Sequence, residues 1–317
     1  MKLKIGIYWG AACGGCDVAI LDTHEKLLEI AAMADIYLWP VAMDFKYSDV
    51  RAMKDGFLDV ALFSGGVRNS ENEEIARLLR KKAKVMIALG ACAQLGGVPG
   101  LANMYTREEI LRRVYLECES TVNTEGVLPL ESSKADGHDL DLPHLYNTVK
   151  TLDQVVDVDY TIPGCPPASL QIYSALGLIA DDMLPKKGSV LGAGDRALCD
   201  ECARKKGEKT ITRIYRTHEK LPDADTCFLE QGFICLGPAT RSGCGSRCIK
   251  SWTPCRGCYG PLDDIADQGV KMLSALASVM EPKEEKDINA LLDTVVDPLR
   301  TFHRFSLASS ILRRRKA

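Results

Sequence analysis

The stretch Leu3-Lys-Ile-Gly-Ile-Tyr-Trp9, followed at once by Gly10-Ala-Ala-Cys13-Gly-Gly-Cys16, decides the fold. Its first half is apolar and β-rich and reads as a strand. Its second half is a glycine-bearing segment with a Cys-x-x-Cys pair. Beyond it, Asp17 to Ala34 carries apolar residues at helical spacing (Ile20, Leu21, Leu27, Leu28, Ile30, Ala31), which predicts a helix.

The same rhythm repeats downstream. Ile36 to Ala42 reads as a second strand, and Leu58 to Ser64 as a third, ending in Gly65-Gly66. Asn69 to Lys82 reads as a helix with Ser70 as its N-cap. Lys84 to Leu89 is a fourth strand, ending in Gly90-Ala91-Cys92. Glu108 to Leu116 is helical. Residues 117–150 break the pattern, and the polar run from Glu131 to Asp139 reads as a surface insertion. Val155 to Ile162 is a last strand, ending in Pro163-Gly-Cys165-Pro-Pro, and a helix then runs to about Leu184, with proline at its start. Alternating strands and helices argue for a parallel sheet covered on both faces.

Gly188 to Gly194 reads as a linker. From Cys199 to Cys258 periodicity is weak and eight cysteines are crowded together. Such a segment needs staples to hold its shape. Leu262 to Met280 and Ile288 to Leu299 read as helices, joined by the charged connection Glu281 to Lys286.

The chain has 317 residues, 46% apolar and 26% charged, with net charge −3. That balance gives no global reason to expect nucleic acid or an anionic membrane as partner. No run approaches the ~18 apolar residues of a membrane span. The start shows no basic, apolar and cleavage pattern, so a cytoplasmic location is expected. Thirteen cysteines in a reducing compartment point to metal or redox chemistry rather than disulfides.

Cys13, Cys16, Cys92 and Cys165 each follow a predicted strand of one sheet. In an open α/β sheet those loops lie along the carboxyl edge, where ligands bind. Four thiolates there, with glycine and proline beside them, make a four-cysteine site for an iron–sulfur cluster. Zinc and a redox-active dithiol are the alternatives for Cys13-x-x-Cys16 taken alone. Cys199, Cys202, Cys227 and Cys235 form one further group, and Cys244, Cys248, Cys255 and Cys258 another. Two zinc ribbons use similar counts, and eight cysteines divide in many ways. Cys118 is left over as a buried or partly buried thiol.

These residues resemble the small subunit of NiFe hydrogenases over nearly the whole chain. The carriers are Gly10-Ala-Ala-Cys13-Gly-Gly-Cys16, Gly90-Ala-Cys92 with Gly96-Gly-Val-Pro99, and Pro163-Gly-Cys165-Pro-Pro. Cys235-Leu-Gly-Pro, Cys244 and Pro254-Cys255-Arg-Gly-Cys258-Tyr-Gly-Pro261 complete them. The resemblance implies a proximal cluster on Cys13, Cys16, Cys92 and Cys165. It implies a distal cluster on Cys199, Cys202, Cys227 and Cys235, and a medial one on Cys244, Cys248, Cys255 and Cys258. Periplasmic and membrane-bound members usually have His at the position of Cys199 and Pro near that of Cys248. Cysteine at both positions implies three 4Fe–4S clusters and no 3Fe–4S centre.

The subgroup most similar is the methyl-viologen-reducing hydrogenase that does not reduce factor 420. Asp22-Thr-His-Glu-Lys-Leu-Leu and the closing Asp297-Pro-Leu-Arg-Thr-Phe-His-Arg-Phe-Ser-Leu carry that likeness. It implies a separate NiFe large subunit, a small 2Fe–2S adaptor, and a heterodisulfide reductase-type or ferredoxin-type acceptor. The Cys-x-x-Cys pairs with a nearby His that hold nickel in the large subunit are absent, so no catalytic residue is expected on this chain.

The expected architecture is α/β. A flavodoxin-like domain spans 1–187, a largely irregular iron–sulfur domain 188–261, and C-terminal helices and tail 262–317. Asp17 is either a modulator of the proximal cluster, electrostatic or proton-relaying, or a first-turn helix acid. His24 reads as structural. Arg241, Arg247 and Arg256 either offset cluster charge or are ordinary surface groups. The basic tail Arg313 to Lys316 is either a docking element or a solvated end. Rival readings are an iron–sulfur subunit of a non-hydrogenase complex and a zinc-stapled interaction protein.

Overall fold

The computed structural model describes residues 2–208, 211–280 and 284–313. Expectations for residues 281–283 and for the basic tail at 314–316 lie outside those residues. The elements up to the sheet's last strand are β1 (Leu3–Trp9), α1 (Gly15–Leu21), α2 (Lys26–Met33), β2 (Ala34–Leu38), α3 (Tyr47–Ala52), β3 (Leu58–Ser64), β4 (Val67–Asn69), α4 (Ser70–Lys82), β5 (Ala83–Leu89), α5 (Gly90–Leu95), α6 (Arg107–Tyr115), β6 (Ser132–Ala135), β7 (His138–Asp141), β8 (Leu145–Lys150) and β9 (Tyr160–Ile162). Then follow α7 (Ser169–Ala180), α8 (Leu198–Glu201), α9 (Arg247–Lys250), α10 (Gln268–Ala277), α11 (Glu285–Leu292) and α12 (Pro298–Phe302).

Five strands form one sheet in the order β2-β1-β3-β5-β9, with every pair parallel. Counting only these strands, the order is 2-1-3-4-5, the flavodoxin-like winding. Both faces are covered. Ile20, Ile30, Ile172 and Leu176 pack on one side with Ile5, Ile7 and Leu62. Val50, Ile75, Leu79 and Leu152 pack on the other with Phe63 and Met86. A buried parallel sheet is therefore near-continuously apolar along its strands, as Val60 to Phe63 are.

The structure corrects several boundaries. The segment from Asp17 to Ala34 is two helices, not one. The chain turns at Asp22–Glu25, where His24 has φ +54° and the Thr23 hydroxyl donates to the Ile20 carbonyl at 2.8 Å. Short polar side chains compete for helix carbonyls, and that outweighs the apolar periodicity on either side. Asn69, not Ser70, caps α4, its side-chain oxygen accepting from the Asn72 N–H at 2.7 Å. The second strand lies earlier, at Ala34–Leu38, and the last is only Tyr160–Ile162. The helix after it stops at Ala180. The surface insertion contains an exposed hairpin, β6–β7, and β8 leaves it to pair antiparallel with β4.

Beyond α7 the cysteine-rich segment does not bury its apolar residues alone. Phe228, Phe233, Leu236 and Ile249 share a core with Met272 and Leu276 of α10, Leu291 of α11 and Phe302 of α12. The predicted helix Leu262–Met280 shrinks to α10, and Ile288–Leu299 is replaced by two separate helices, α11 and α12, with a break between Leu292 and Pro298. Asp267 N-caps α10 by accepting from the Val270 N–H at 3.0 Å. Among the described residues, no helix is long and apolar enough to cross a membrane.

One buried ion-pair cluster holds the strand that presents Cys165. Asp159, just before β9, accepts from the Met86 N–H of β5 at 2.8 Å, from Arg80 at 2.6 Å and from Lys187 at 2.6 Å. Burial alone would raise its carboxyl pKa, but Lys187, Arg80 and the Met86 N–H outweigh it and hold the carboxyl below its usual value. A depressed folded-state pKa contributes stability that is complete above the unfolded value of about 3.9 and lost as pH falls through the folded one. Asp159→Asn is expected to cost ~1–3 kcal/mol at neutral pH. Denaturant midpoints of variant and parent should converge below about pH 4. A gap that stays constant into strong acid would contradict this account.

Candidate functional site

The carboxyl ends of β1, β5 and β9 deliver the first four cysteines. Cys13 and Cys16 follow β1, Cys92 lies in α5 directly after β5, and Cys165 follows β9. They come together. The Cys16 thiol is influenced by Cys92, Cys165 and Cys13, and Cys92 by Cys165 and Cys13. Cys16 and Cys92 are buried, whereas Cys13 and Cys165 are exposed. The site therefore opens at the molecular surface, beside Trp9 (41% exposed) and Val98 (50% exposed).

Two glycines leave room for these thiols. Gly90 has φ +82°, and a Cβ there would stand 2.5 Å from the Cys16 sulfur. Gly97 has φ +59°, and a Cβ there would collide with the Cys92 sulfur. Both contacts lie far inside van der Waals distance, so no larger residue fits without displacing a thiol. Backbone donors complete the cradle. The Gly15 N–H points at Cys13 Sγ at 3.4 Å, and the Val98 N–H serves Cys92.

The remaining eight cysteines fall around two cavities. Cys199, Cys202, Cys227 and Cys235 line one of about 160 Å³. Cys244, Cys248, Cys255 and Cys258 line another of about 380 Å³, and Cys165 of the sheet-edge set reaches the same wall. Backbone N–H groups again face the sulfurs. Gly237 and Cys255 donate to Cys235, Ser246 and Arg247 to Cys244, and Gly257 to Cys255.

Two junctions run between sets. The Cys165 backbone lies by Cys258, and both residues line the larger cavity, which joins it to the sheet edge. The Cys255 N–H donates to Cys235 Sγ at 3.3 Å, joining the larger cavity to the smaller. The three sets are thus consecutive, with the Cys244–Cys258 set in the middle.

The donor chemistry suits iron–sulfur clusters. Burial, then Cys165 and Cys13, push the Cys92 thiol up to about 12. Burial and the other thiols push Cys258 up to about 12 as well, and burial takes Cys235 to about 12. Cys16 and Cys255 are also raised by burial and neighbouring thiols. Thiols so placed stay protonated until a cation draws the thiolates out, and binding then releases protons. Among the described residues, no three Cys, His, Asp or Glu side chains converge tightly enough for a single metal ion. Four thiols spread around a cavity instead fit a cluster in which each iron takes one thiolate.

Several other residues resolve. Asp17 is buried, its carboxylate accepting from the Trp39 indole at 2.9 Å and the Ser64 hydroxyl at 3.1 Å. His24 is exposed in the turn between α1 and α2. Arg241 is a buried clamp, donating to the Pro261 carbonyl at 2.9 Å and to Asp263 at 2.5 Å. Arg247 is exposed, and Arg256 is half-buried between two cysteines, its pKa lowered by burial and by Arg304. Cys118 stands apart from the three sets, its thiol 3.1 Å from the Ser120 hydroxyl, which pulls its pKa down.

Some site residues carry no signal in the sequence. Arg204 is buried at the smaller cavity, stacked 3.9 Å from the Phe228 ring centre and donating to the Asp223 and Thr226 carbonyls. Lys206 donates to the Cys199 carbonyl at 2.7 Å. Glu201, between Cys199 and Cys202, accepts from the Gly243 N–H at 2.6 Å and so ties two cysteine loops together. No spacing rule singles out an arginine, a lysine or a glutamate among so many.

Known proteins resemble this arrangement. Residues 13–179 match the family model described as NADH ubiquinone oxidoreductase, 20 kDa subunit. The iron–sulfur subunit of the F420-non-reducing hydrogenase of Archaeoglobus profundus is 38% identical, covering 99% of both chains. A subunit of the F420-non-reducing hydrogenase of Methanothermobacter marburgensis is 39% identical, covering 98% of this chain and 96% of that one. A chain of an NAD+-reducing [NiFe]-hydrogenase solved in the H2-reduced state superposes with TM-score 0.50 at 30% identity, over 58% of this chain and 94% of that one.

Proposed function

The chain belongs to the family of the NADH ubiquinone oxidoreductase 20 kDa subunit, and within it is the small, electron-transfer subunit of a hydrogenase; from that premise we propose that it conducts electrons from H2 oxidation through three 4Fe–4S clusters. The proposed proximal ligands are Cys13, Cys16, Cys92 and Cys165. The medial ligands are Cys244, Cys248, Cys255 and Cys258, and the distal ligands Cys199, Cys202, Cys227 and Cys235. Each bound cluster would supply reversible one-electron uptake and release.

The observation that carries this reading is the pair of junctions between sets: Cys165 lines the cavity of the Cys244–Cys258 set, and the Cys255 N–H donates to Cys235 Sγ at 3.3 Å. They support one line of transfer with two short junctions. Small subunits of hydrogenases pair with a large subunit. The proposed face for that NiFe partner is the sheet edge, where Cys13 and Cys165 are exposed beside Trp9, Val18, Leu21 and Val98. An apolar rim there would exclude water from the electron-entry point once covered.

Electrons would leave at the distal set. The proposed receivers are a small 2Fe–2S adaptor and, through it, a heterodisulfide reductase-type or ferredoxin-type acceptor. The proposed compartment is the cytoplasm, where thiols stay reduced. The domain division proposed is 1–187, 188–261 and 262–317; separate apolar cores before and after about residue 195 support the first boundary, whereas the second and third parts share one core.

The test is purification of the native assembly with metal analysis and electron paramagnetic resonance. About twelve irons are expected on this chain, from three four-iron clusters, with nickel on its partner. No 3Fe–4S signal is expected in undamaged protein, because both the Cys199 and the Cys248 positions carry a thiol. About four irons would leave only one set filled and would overturn the three-cluster reading.

A further inference from the structure

Asp17 is 2% exposed, yet it sits directly after the proximal ligand Cys16 in the first turn of α1. Its carboxylate is held by side chains from two other parts of the sheet: Trp39, just after β2, and Ser64, the last residue of β3. Both donors are neutral. They satisfy the oxygens without cancelling the charge. The N-cap of α1 is Gly14, and the Asp17 side chain turns inward to these partners rather than capping the helix. Burying a carboxylate, here at 2% exposure, costs free energy that an apolar residue would not. Its place directly after Cys16 in the first turn of α1 sets that charge beside the cluster ligand.

We infer that Asp17 is a fixed negative charge that sets the reduction potential of the sheet-edge cluster low. This rests on the cluster assignment above. Hydrogen oxidation on the partner yields two protons and two electrons, and the electrons enter this site one at a time. Each adds one unit of negative charge beside an uncancelled carboxylate, in a buried setting where charges are poorly screened. Reduction is therefore disfavoured, and an electron that arrives is readily handed to the medial site.

Asp17→Asn keeps an oxygen for Trp39 and Ser64 and removes only the charge. In the intact assembly, a potentiometric titration followed by electron paramagnetic resonance should show one cluster couple shifted upward and the other two unmoved. The expected shift is about tenfold in favour of the reduced form, which is about 59 mV for a one-electron couple. Asp17→Ser removes the same charge with a smaller polar side chain and should shift the same couple in the same direction. An unchanged potential with iron retained overturns the inference, as does loss of the cluster in both variants, which would make the carboxylate purely structural. Absence of iron from the unmodified chain would instead sink the cluster assignment itself, so the two failures are distinguishable.

Discussion

Cys92→Ser is expected to cut hydrogen-dependent viologen reduction by at least ~100-fold, with loss of about four irons from the chain. The size of the effect follows from position. Cys92 lies buried behind β5, close enough to the other three sheet-edge cysteines for their thiols to influence one another, and its sulfur fills the space that Gly97 leaves open. A serine hydroxyl is smaller and far less willing to give up its proton, so the fourth corner of the site is lost. The sheet-edge set is the proposed entry for every electron, so no parallel route compensates. Cys118→Ser supplies the matching control. Cys118 is outside all three sets, and its substitution should leave both iron content and turnover unchanged. Full activity in Cys92→Ser with four irons missing would mean that electrons enter elsewhere.

The sheet was legible because its pattern is redundant. Leu3–Trp9 and Leu58–Ser64 are mostly apolar, each followed by glycine, and repeat with helices between them, so the strand boundaries were found to the residue. The break at Asp22–Glu25 was not legible. The apolar positions before and after it remain in helical phase, and only the left-handed His24 and the Thr23 hydroxyl reveal the turn. The short strand β4 and its partner β8 were missed because three residues carry no period. They pair across more than 70 residues of sequence, through contacts that no local window contains.

The cysteines behaved similarly. Their number and spacing point to metal chemistry, and the loops after β1, β5 and β9 carry Cys13, Cys16, Cys92 and Cys165 to one edge of the sheet. The two cavities divide the other eight along the grouping read from the sequence. What sequence could not supply was the contact between sets. Cys165 belongs to one set by chain order and lines the cavity of another, a relation that exists only after the second core has packed. Arg241 shows the opposite error. Among cluster cysteines it invites an electrostatic role, yet its guanidinium is spent on Pro261 and Asp263, where it fixes the loop that follows Cys258.

That packing also identifies a residue whose loss should equal that of a ligand. Gly90→Ala is expected to abolish the sheet-edge cluster although all twelve proposed ligands remain. Gly90 has φ +82°, a conformation costly for any residue with a Cβ, and alanine would place that atom 2.5 Å from the Cys16 sulfur and 3.3 Å from the Gly164 carbonyl. Neither neighbour can yield cheaply. Cys16 is buried against the Leu89 carbonyl, and the Gly164 carbonyl accepts the Ala91 N–H at 2.7 Å, tying the Cys92 loop to the Cys165 loop. Relief therefore requires moving two ligand loops apart, and a four-thiolate site is intolerant of such displacement. About four irons should be lost, with hydrogen-dependent reduction falling by at least ~100-fold. Gly137→Ala is the comparison: it has φ +80° but nothing within 4 Å of the place its Cβ would occupy, so it carries the backbone strain without the collision. Iron loss in Gly90→Ala alone would assign the effect to contact with Cys16. Retention of all irons in Gly90→Ala would show that the loops can part, and would weaken the case that glycine is there to admit a thiolate.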